Sequence, residues 1–463
     1  MKKRKRKALS FFINIRKKKG NKDMKITFMG AGSTVFAKNV LGDVMATPAL
    51  QEIEIALYDI DAERLEESFL LIDTMNSRFN EKRASVKKYL GVENRKAALK
   101  GASFIVNAIQ VGGYEPSTVI DFEIPKKYGL RQTIGDTLGI GGIFRGLRTI
   151  KVLDDFAKDI EEVCPDALFL NYTNPMAILT GYMQRYTGVK TIGLCHSVQV
   201  CADAILSGVG MRDKLEGHKE KIAGINHMAW LLEIADKDGN DLYPEIRRRV
   251  SEMTASGEAK SDLVRLDYIN KLGYYCTESS EHNAEYSSLY IKTHRPDLIE
   301  KFQIPLDEYP RRCVDQIEKW KTLKGTLLKN GDVENVRSRE YASHIMEAIV
   351  TGKPYCFGGN VINNGLISNL PKDACVEVSC VADNTGIHPT YVGELPLQLA
   401  AMNSTNIYPQ LLTIEAAHTG KRETLYQAAM LEPHTAAELS TDDIVALCDE
   451  LIEAHEKSGF PIL

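Results

Sequence analysis

The 463-residue chain lacks any apolar run long enough to cross a bilayer, and no secretory hydrophobic segment stands near its start. Its nine cysteines show no paired spacing, so the sequence does not favour a disulfide framework. These absences predict a cytoplasmic protein with no membrane partner. In such a protein, a special cysteine would be a metal ligand or a nucleophile.

The formal net charge of −4 hides an asymmetry between the first 23 residues and the rest of the chain. Residues 1–23 hold eleven Lys or Arg and a single acid, Asp23, whereas the remainder has 47 basic and 61 acidic residues, a net charge of −14. An acidic body argues against a dedicated nucleic-acid-binding protein. We therefore expect residues 1–23 to be a disordered basic extension, with the folded chain starting at Met24.

A third glycine is also missing from an otherwise suggestive turn. A β-branched and apolar run from Met24 leads into Gly30, Gly32 and Ser33 before a helical pattern begins, but Val35 stands where the usual fingerprint has its last glycine. Glycines in such a turn allow backbone N–H groups and a helix N-terminus to approach a pyrophosphate. The three residues of this turn are predicted to bind a dinucleotide.

A second strand supports the interpretation of the glycine turn. The run from Gln51 ends in Asp59, 27 residues after Gly32, where a carboxylate would hold a ribose hydroxyl. The alternative is that Asp59 or Asp61 only caps the next helix. Asn107, at the end of the third strand candidate, is a further predicted cofactor contact.

Strand-like and helix-like segments alternate from Met24 onward. The strand candidates are 25–29, 53–58, 104–109, 167–172 and 191–195, with helical patterns such as 62–79 and 148–163 between them. This alternation predicts an α/β fold with a Rossmann-type parallel sheet over 24–200. An antiparallel pattern at 222–234 begins an α+β domain, 201–463, expected to bind substrate and metal and to form the oligomer. The architecture expected is that of lactate and malate dehydrogenases.

Polar residues follow the carboxyl ends of the strands, where ligands of parallel sheets bind. Cys195 and His196 end one strand candidate, and His227 interrupts an apolar one. A buried cysteine is usually a small core side chain, and His227 could be a core histidine with its hydrogen bonds satisfied. Together Cys195 and His227 could instead bind a divalent ion. With two protein ligands, such binding would be weak and assisted by substrate.

Three other segments have two interpretations each. Asn174, before Pro175, could cap the next helix or contact a sugar hydroxyl. The glycine-dense stretch that holds Asp136 and leads to Arg145 could be a flexible loop or a close approach of backbone to a ligand. The polar residues 274–286 could be a solvated loop or a general acid/base site.

Taken in order, these motifs resemble the NAD-dependent, metal-requiring glycoside hydrolases of family four, in their α-galactosidase branch. The matching stretches are Gly-Ala-Gly-Ser from Gly30, Leu57-Tyr-Asp-Ile, Gly135-Asp-Thr-Leu-Gly, Asn171-Tyr-Thr-Asn-Pro-Met, Cys195-His-Ser-Val-Gln, Gly224-Ile-Asn-His, Thr277-Glu-Ser-Ser-Glu-His and Gln427-Ala-Ala-Met-Leu-Glu-Pro-His. They run from about residue 24 to the C-terminus.

The resemblance implies an unusual hydrolysis. Its steps would be oxidation of the sugar at C3 by NAD, metal-assisted loss of the C2 proton, elimination of the glycosidic oxygen, addition of water and re-reduction. The implied cofactors are NAD and Mn²⁺ or another divalent metal. Family members usually form homodimers or homotetramers, so the same is expected here.

The resemblance also implies roles for individual residues. Cys195 and His227 would bind the metal, Asn174 would contact a sugar hydroxyl, and Asp136 and Arg145 would border the substrate. These five residues form the implied binding site.

The implied catalytic groups are fewer. His196, directly after the metal-binding cysteine, would protonate the leaving oxygen. The base would come from residues 274–286, where Glu281 is preferred over Tyr275 and Tyr274. Burial would have to raise the pKa of Glu281 for it to act near neutral pH.

The absence of one arginine limits the choice of substrate. Family members acting on phosphorylated sugars have an arginine shortly after the Val-Gly-Gly stretch, but from Val111 this chain has no basic residue before Lys126. A phosphate would lack a guanidinium partner, so unphosphorylated α-galactosides such as melibiose are predicted. The alternatives are glucuronides or galacturonides, a lactate- or malate-type dehydrogenase, and an NAD-responsive protein that binds nucleic acid through residues 1–23.

Overall fold

A computed structural model describes residues 24–330 and 336–463. The predicted basic extension, residues 1–23, lies outside the described residues. Within the described ranges, no helix is both long enough and apolar enough to cross a membrane.

Twelve strands occur within these described ranges. They are β1 (Lys25–Met29), β2 (Glu54–Asp59), β3 (Ser85–Leu90), β4 (Phe104–Asn107), β5 (Leu168–Asn171), β6 (Lys190–Gly193), β7 (Lys219–Ile225), β8 (Met228–Ala235), β9 (Tyr275–Cys276), β10 (Tyr355–Ile362), β11 (Cys375–Asp383) and β12 (Gly386–Pro389).

The helices pack around these strands. They are α1 (Thr34–Ala46), α2 (Ala62–Phe79), α3 (Arg95–Leu99), α4 (Val119–Lys127), α5 (Gly139–Val163), α6 (Met176–Tyr186), α7 (Ser197–Gly208), α8 (Tyr243–Ser256), α9 (Leu263–Leu272), α10 (Ser280–Glu285), α11 (Asp297–Lys301), α12 (Glu308–Asn330), α13 (Ala342–Thr351), α14 (Leu397–Thr419), α15 (Arg422–Leu431), α16 (Pro433–Glu438) and α17 (Thr441–Lys457).

The first six strands form the predicted parallel sheet, in the order β3-β2-β1-β4-β5-β6. β1, β4 and β5 are buried along their whole length, as expected of strands covered by helices on both faces. The strand order reverses between β1 and β4, and this is the crevice in which dinucleotides bind. The predicted Rossmann-type sheet is therefore confirmed.

One strand of the parallel sheet was not predicted, and another ends earlier than predicted. β3 was not predicted, because most of its side chains are exposed and the strand has no apolar periodicity. β6 ends at Gly193, so Cys195 lies two residues beyond the strand instead of at its end. That short extension carries Cys195 and His196 out of the sheet and onto its carboxyl edge.

The second half of the chain extends the same sheet. β10 pairs antiparallel with β6 through Asn360 and Gly193, and the order continues β11-β7-β8-β9. β7 and β8 form the predicted antiparallel pair. The second half is thus α+β, as expected, while the domain boundary at residue 200 stays a prediction. The shared sheet places the turn between β7 and β8 near the carboxyl end of β6.

Candidate active site

The glycine turn after β1 is built for close backbone approach. Gly30 has a φ of +84°, and a Cβ there would lie 2.7 Å from the carbonyl oxygen of Ala108, so only glycine fits. Within the described chain no side chain caps α1, which begins at Thr34 directly after Ser33. The N–H groups of its first turn therefore face the crevice as donors for an anion.

The two acids after β2 contact different parts of the chain. The N–H of Gly32 donates to Oδ2 of Asp59 at 2.6 Å, which places this carboxylate against the glycine turn. Asp61, not Asp59, caps α2, by accepting from the N–H of Arg64 at 3.0 Å. Val35 is about half exposed, so its side chain does not separate α1 from the sheet and a third glycine is not required.

Asn107 lies at the carboxyl end of β4. Its Nδ2 donates to Oδ1 of Asn171 at 2.9 Å and to Oγ1 of Thr173 at 3.1 Å. Its Oδ1 is buried and has no hydrogen-bond partner among the described residues. A buried acceptor without a partner is costly, and a bound donor at the crevice would satisfy it.

Cys195 and His227 lie together, and a third side chain joins them. One donor atom each from Cys195, His227 and Glu278 lie within 4.8 Å of one another. Nε2 of His227 is 3.5 Å from Oε2 of Glu278. Thiolate, imidazole and carboxylate are the ligand types that bind first-row divalent metals. We refer to these three residues as the donor cluster.

Neighbouring tyrosines orient two members of the donor cluster. The N–H of Cys195 donates to the hydroxyl of Tyr341 at 2.7 Å, and that hydroxyl donates to the carbonyl oxygen of Cys195 at 3.0 Å. Nδ1 of His227 lies 3.2 Å from the hydroxyl of Tyr286. A partner on Nδ1 leaves Nε2 to face Cys195 and Glu278, which is the usual arrangement around a metal-binding histidine.

The electrostatics of the donor cluster favour a cation. Burial alone would lower the pKa of His227, but the thiol of Cys195 and the carboxylate of Glu278 outweigh it and raise that pKa to about 10. The contacts with Cys195 and Glu278 thus favour a positive charge at His227. The same field would hold a divalent ion on the deprotonated ring.

Arg145, Asp136 and Asn174 meet beside the donor cluster. Nη1 of Arg145 is 3.9 Å from Oδ2 of Asp136, and Nε donates to the carbonyl oxygen of Asn174 at 3.3 Å. Asn174 is not the helix cap considered as its alternative, because Pro175 flanks α6. Nη1 of Arg145 also donates to the hydroxyl of Tyr309 at 3.0 Å. The structure therefore brings the three predicted substrate contacts together and adds Tyr309.

The loop before α5 is held from the other side by Glu285. This buried carboxylate accepts from the N–H groups of Thr133 at 2.7 Å and Gly135 at 2.8 Å. Burial raises the pKa of Glu285 to about 7. A Cβ on Gly141 would meet the carbonyl oxygen of Gly135 at 2.3 Å. The close approach inferred from the glycines at this position is therefore an internal contact of the chain, which fixes Asp136.

His196 forms a pair that the sequence did not reveal. Its Nε2 is 2.6 Å from Oε2 of Glu340. Burial would lower the pKa of His196, but Glu340 raises it above the ordinary value. This ring, next to Cys195 and partly exposed, can therefore donate a proton near neutral pH.

The structure does not bring Tyr275 and Glu281 to the donor cluster. Tyr275 is fully buried on β9 and its hydroxyl donates to Asp262 at 2.5 Å. Oε1 of Glu281 accepts from Nη2 of Arg312 at 2.7 Å, and the side chain is about a quarter exposed. Glu281 therefore forms a partly exposed ion pair and lacks the burial that its expected role as a base would require.

Comparison with known proteins agrees with this geometry. The sequence profile for "Family 4 glycosyl hydrolase" matches residues 25–211, and that for its C-terminal domain matches residues 222–435. An α-galactosidase of Bacillus subtilis (strain 168) is 61% identical over 93% of this chain and 98% of its own length. The chain belongs to family 4 of the glycosyl hydrolases.

Two further relatives have a lower sequence identity to this chain. An α-galactosidase of Rhizobium meliloti (strain 1021) is 35% identical over 94% of this chain and 88% of the relative. A crystal structure of a 6-phospho-α-glucosidase from gut microorganisms, in complex with NAD and Mn²⁺, has a TM-score of 0.79 at 20% identity, over 95% of this chain and 99% of that one. The latter likeness shows the shared fold.

Residues of this chain fit both groups that the family-4 resemblance implies. Three features suit NAD: a glycine turn in which a Cβ would clash with Ala108, a helix α1 that no described side chain caps, and Oδ1 of Asn107, which has no hydrogen-bond partner among the described residues. Two features suit a divalent ion: the donor cluster and the negative field around His227. The sequence did not identify three residues of the site, Glu278, Tyr309 and Glu340, because each joins the site only through long-range packing.

Proposed function

We propose that this family-4 enzyme hydrolyses unphosphorylated α-galactosides of the melibiose type with the help of NAD and a divalent metal such as Mn²⁺. The observation that carries the proposal is the donor cluster at the carboxyl edge of a Rossmann-type sheet. Cys195 and His227 would bind the metal beside the dinucleotide crevice. The 61% identity to an α-galactosidase supports the choice of sugar.

The glycine turn and its neighbours would hold NAD. Gly30, Gly32 and Ser33 would face the pyrophosphate, and Asp59 would accept from a ribose hydroxyl. Asn107 would use its unpartnered Oδ1 on the cofactor. When bound, NAD supplies a hydride acceptor for the sugar C3, and the metal supplies a Lewis acid for the C2 and C3 oxygens.

The chain's own side chains would orient the sugar and move protons. Arg145, Asp136 and Asn174 form one connected group, which would donate to and accept from sugar hydroxyls. His196, whose pKa Glu340 raises, would donate a proton to the leaving glycosidic oxygen. Neither Glu281 nor Tyr275 reaches this group, so we assign the removal of the C2 proton to neither residue.

Charge around the Val-Gly-Gly stretch supports an uncharged sugar. Lys126, the first basic residue after that stretch, pairs with Asp307 at 3.0 Å and Glu123 at 2.7 Å. Arg148 is bound by Asp121 through both nitrogens, at 3.1 and 2.6 Å. Both cations already have carboxylate partners, so neither Lys126 nor Arg148 is free to bind a 6-phosphate.

The proposal extends to the setting of the enzyme. All nine cysteines are free thiols, as is usual in a reducing compartment, and we infer a cytoplasmic homodimer or homotetramer acting on a small glycoside. Sedimentation of the purified protein tests the assembly.

The function is tested with p-nitrophenyl α-galactoside, NAD⁺, Mn²⁺ and a thiol. Nitrophenol release should need all three additions, and it should exceed release from the 6-phosphate and α-galacturonide analogues. Faster turnover of either analogue would overturn the choice of sugar. Net NADH accumulation with a hydroxy acid, and no nitrophenol from any glycoside, would overturn the hydrolase function.

A further inference from the structure

Glu278 occupies a position that the two-ligand site expected from the sequence leaves unexplained. Its Oε2 lies 3.5 Å from Nε2 of His227, and its Oε1 lies 3.5 Å from Nδ1 of His282. Both distances exceed the range of about 2.7–3.2 Å in which ordinary hydrogen bonds form. A carboxylate close to two rings, yet bonded tightly to neither, can bind a further partner between them.

We propose that Glu278 is a third protein ligand of the divalent metal, so that the ion is bound by Cys195, His227 and Glu278 before any sugar arrives. This inference rests on the proposed metal-dependent function and deepens it. It replaces the expectation of weak, sugar-assisted metal binding with a site that holds its metal on its own.

The spacing of the donor cluster suits a single ion. Nitrogen and oxygen donors bind first-row divalent ions at about 2.0–2.2 Å, so two donors of one ion lie no more than roughly 4.4 Å apart. The 3.5 Å between Nε2 of His227 and Oε2 of Glu278 is within that limit. All three donors lie within 4.8 Å of one another, so one ion can reach each of them after small side-chain rotations.

Two of the three ligands, His227 and Glu278, lie in segments that flank neighbouring strands. His227 lies in the tight turn between β7 and β8, with a φ of +63°, and Glu278 follows β9, with a φ of +67°. Thr277 fixes that position, since its N–H donates to the carbonyl oxygen of Ala229 at 2.8 Å and its Oγ1 accepts from the N–H of Ala229 at 3.0 Å. Left-handed φ values at non-glycine residues are costly and need such support.

Charge balance favours the third ligand. A thiolate and a carboxylate contribute two negative charges around a neutral imidazole, which match the two positive charges of the ion. With Cys195 and His227 alone, one positive charge would remain uncompensated in a mostly buried site. The match does not need substrate oxygens, so the ion should stay bound in the absence of sugar.

The test measures Mn²⁺ affinity of the full chain without sugar or NAD, by electron paramagnetic resonance of free Mn²⁺. Wild type is compared with Glu278→Gln and with Glu281→Gln. The latter makes the same change three residues along, in a carboxylate that Arg312 binds outside the donor cluster. Circular dichroism of the metal-free proteins confirms the fold.

The expected result is an affinity lower by roughly tenfold or more in Glu278→Gln, since even the loss of a group that only orients a ligand weakens metal binding on that scale. Glu281→Gln should bind Mn²⁺ like wild type. Unchanged affinity in folded Glu278→Gln would overturn the proposal, and its combination with lost activity would indicate a role on the substrate proton. Mn²⁺ binding by wild type only when sugar is present would also overturn it.

A second variant keeps the test decisive if Glu278→Gln does not fold. Glu278→Asp retains the charge but withdraws the oxygen by one methylene, so Mn²⁺ affinity should fall and its resonance spectrum should change. An affinity and a spectrum equal to those of wild type would contradict the proposal. A fall in the Mn²⁺ affinity of the variant, together with no hydrolysis of any glycoside by wild type, would support the metal site and overturn the proposed function.

Discussion

The imidazole of His196 and the carboxylate of Glu340 lie 2.6 Å apart. They come from distant parts of the chain, one just after β6 and the other just before α13. Because Glu340 is mostly buried, its charge is poorly screened and acts strongly on the ring. The raised pKa of His196 follows from this contact, and with it the ability of the ring to act as an acid above its ordinary range.

Replacing Glu340 should therefore change the pH dependence of catalysis. In Glu340→Gln, the main group that opposes the effect of burial on His196 would be lost, so the pKa of His196 would fall and its protonated fraction would decrease at neutral and alkaline pH. The alkaline limb of kcat/KM should move to lower pH, with a larger loss at pH 8 than at pH 6. The exposed Glu394→Gln serves as control, and a loss of equal size at both pH values would contradict the assignment.

Loss of the cluster thiol should affect metal and activity together. In Cys195→Ser a weakly acidic hydroxyl replaces a thiolate, so activity at limiting Mn²⁺ should fall about 100-fold or more and recover in part at high Mn²⁺. The exposed Cys356→Ser should behave like wild type. Titration of activity against Mn²⁺ checks this, and a loss that no Mn²⁺ concentration relieves would indicate a role other than metal binding.

The glycine turn offers a matched pair of substitutions. Gly30 and Gly101 both have positive φ, +84° and +77°, but a Cβ on Gly30 would meet Ala108 whereas one on Gly101 would meet nothing within 4 Å. Both alanine variants carry the backbone cost, so their difference isolates the clash. Calorimetry should find NAD affinity at least about tenfold weaker in Gly30→Ala only. Equal affinities would argue against the turn as the cofactor site.

The sequence predicted the sheet well and the site in part. The buried parallel strands have apolar patterns, so β1, β2, β4 and β5 were found within two residues of their ends, whereas the exposed β3 was not. Local polarity led to Cys195, His227 and the Arg145 group, because each follows a buried strand or opens a helix.

Other parts of the site depend on packing that local patterns do not encode. Glu278 and Glu281 are three residues apart in one polar segment, and only the pairing of β9 with β8 and the position of Arg312 on α12 separate their roles. Glu340 reaches His196 across 144 residues. No spacing rule in a single sequence connects such pairs.

A buried carboxylate behind the site should make stability depend on pH. Burial raises the pKa of Glu377 from 4.5 to about 7, despite a hydrogen bond from Asn360. The folded state then holds this proton more tightly than the unfolded state does, so the protonated carboxyl of Glu377 contributes fully to stability below pH 4.5. That contribution is lost as the pH rises to about 7. The loss corresponds to about 3 kcal/mol.

Glu377→Gln removes that titration while keeping the shape of the side chain. Urea unfolding of the metal-free proteins should show wild type losing about 3 kcal/mol relative to the variant between pH 4.5 and pH 8. The exposed Glu233→Gln is the control and should show no such difference. A constant difference between wild type and Glu377→Gln at both pH values would place the pKa of Glu377 near its ordinary value.

The central claim is hydrolysis through reversible loss of the sugar C2 proton, and isotope incorporation tests it most directly. When the enzyme hydrolyses an α-galactoside in D₂O with NAD⁺ and Mn²⁺, nuclear magnetic resonance of the released galactose should show deuterium at C2. Galactose incubated with the enzyme for the same time provides the background. Product with only hydrogen at C2 would contradict the account.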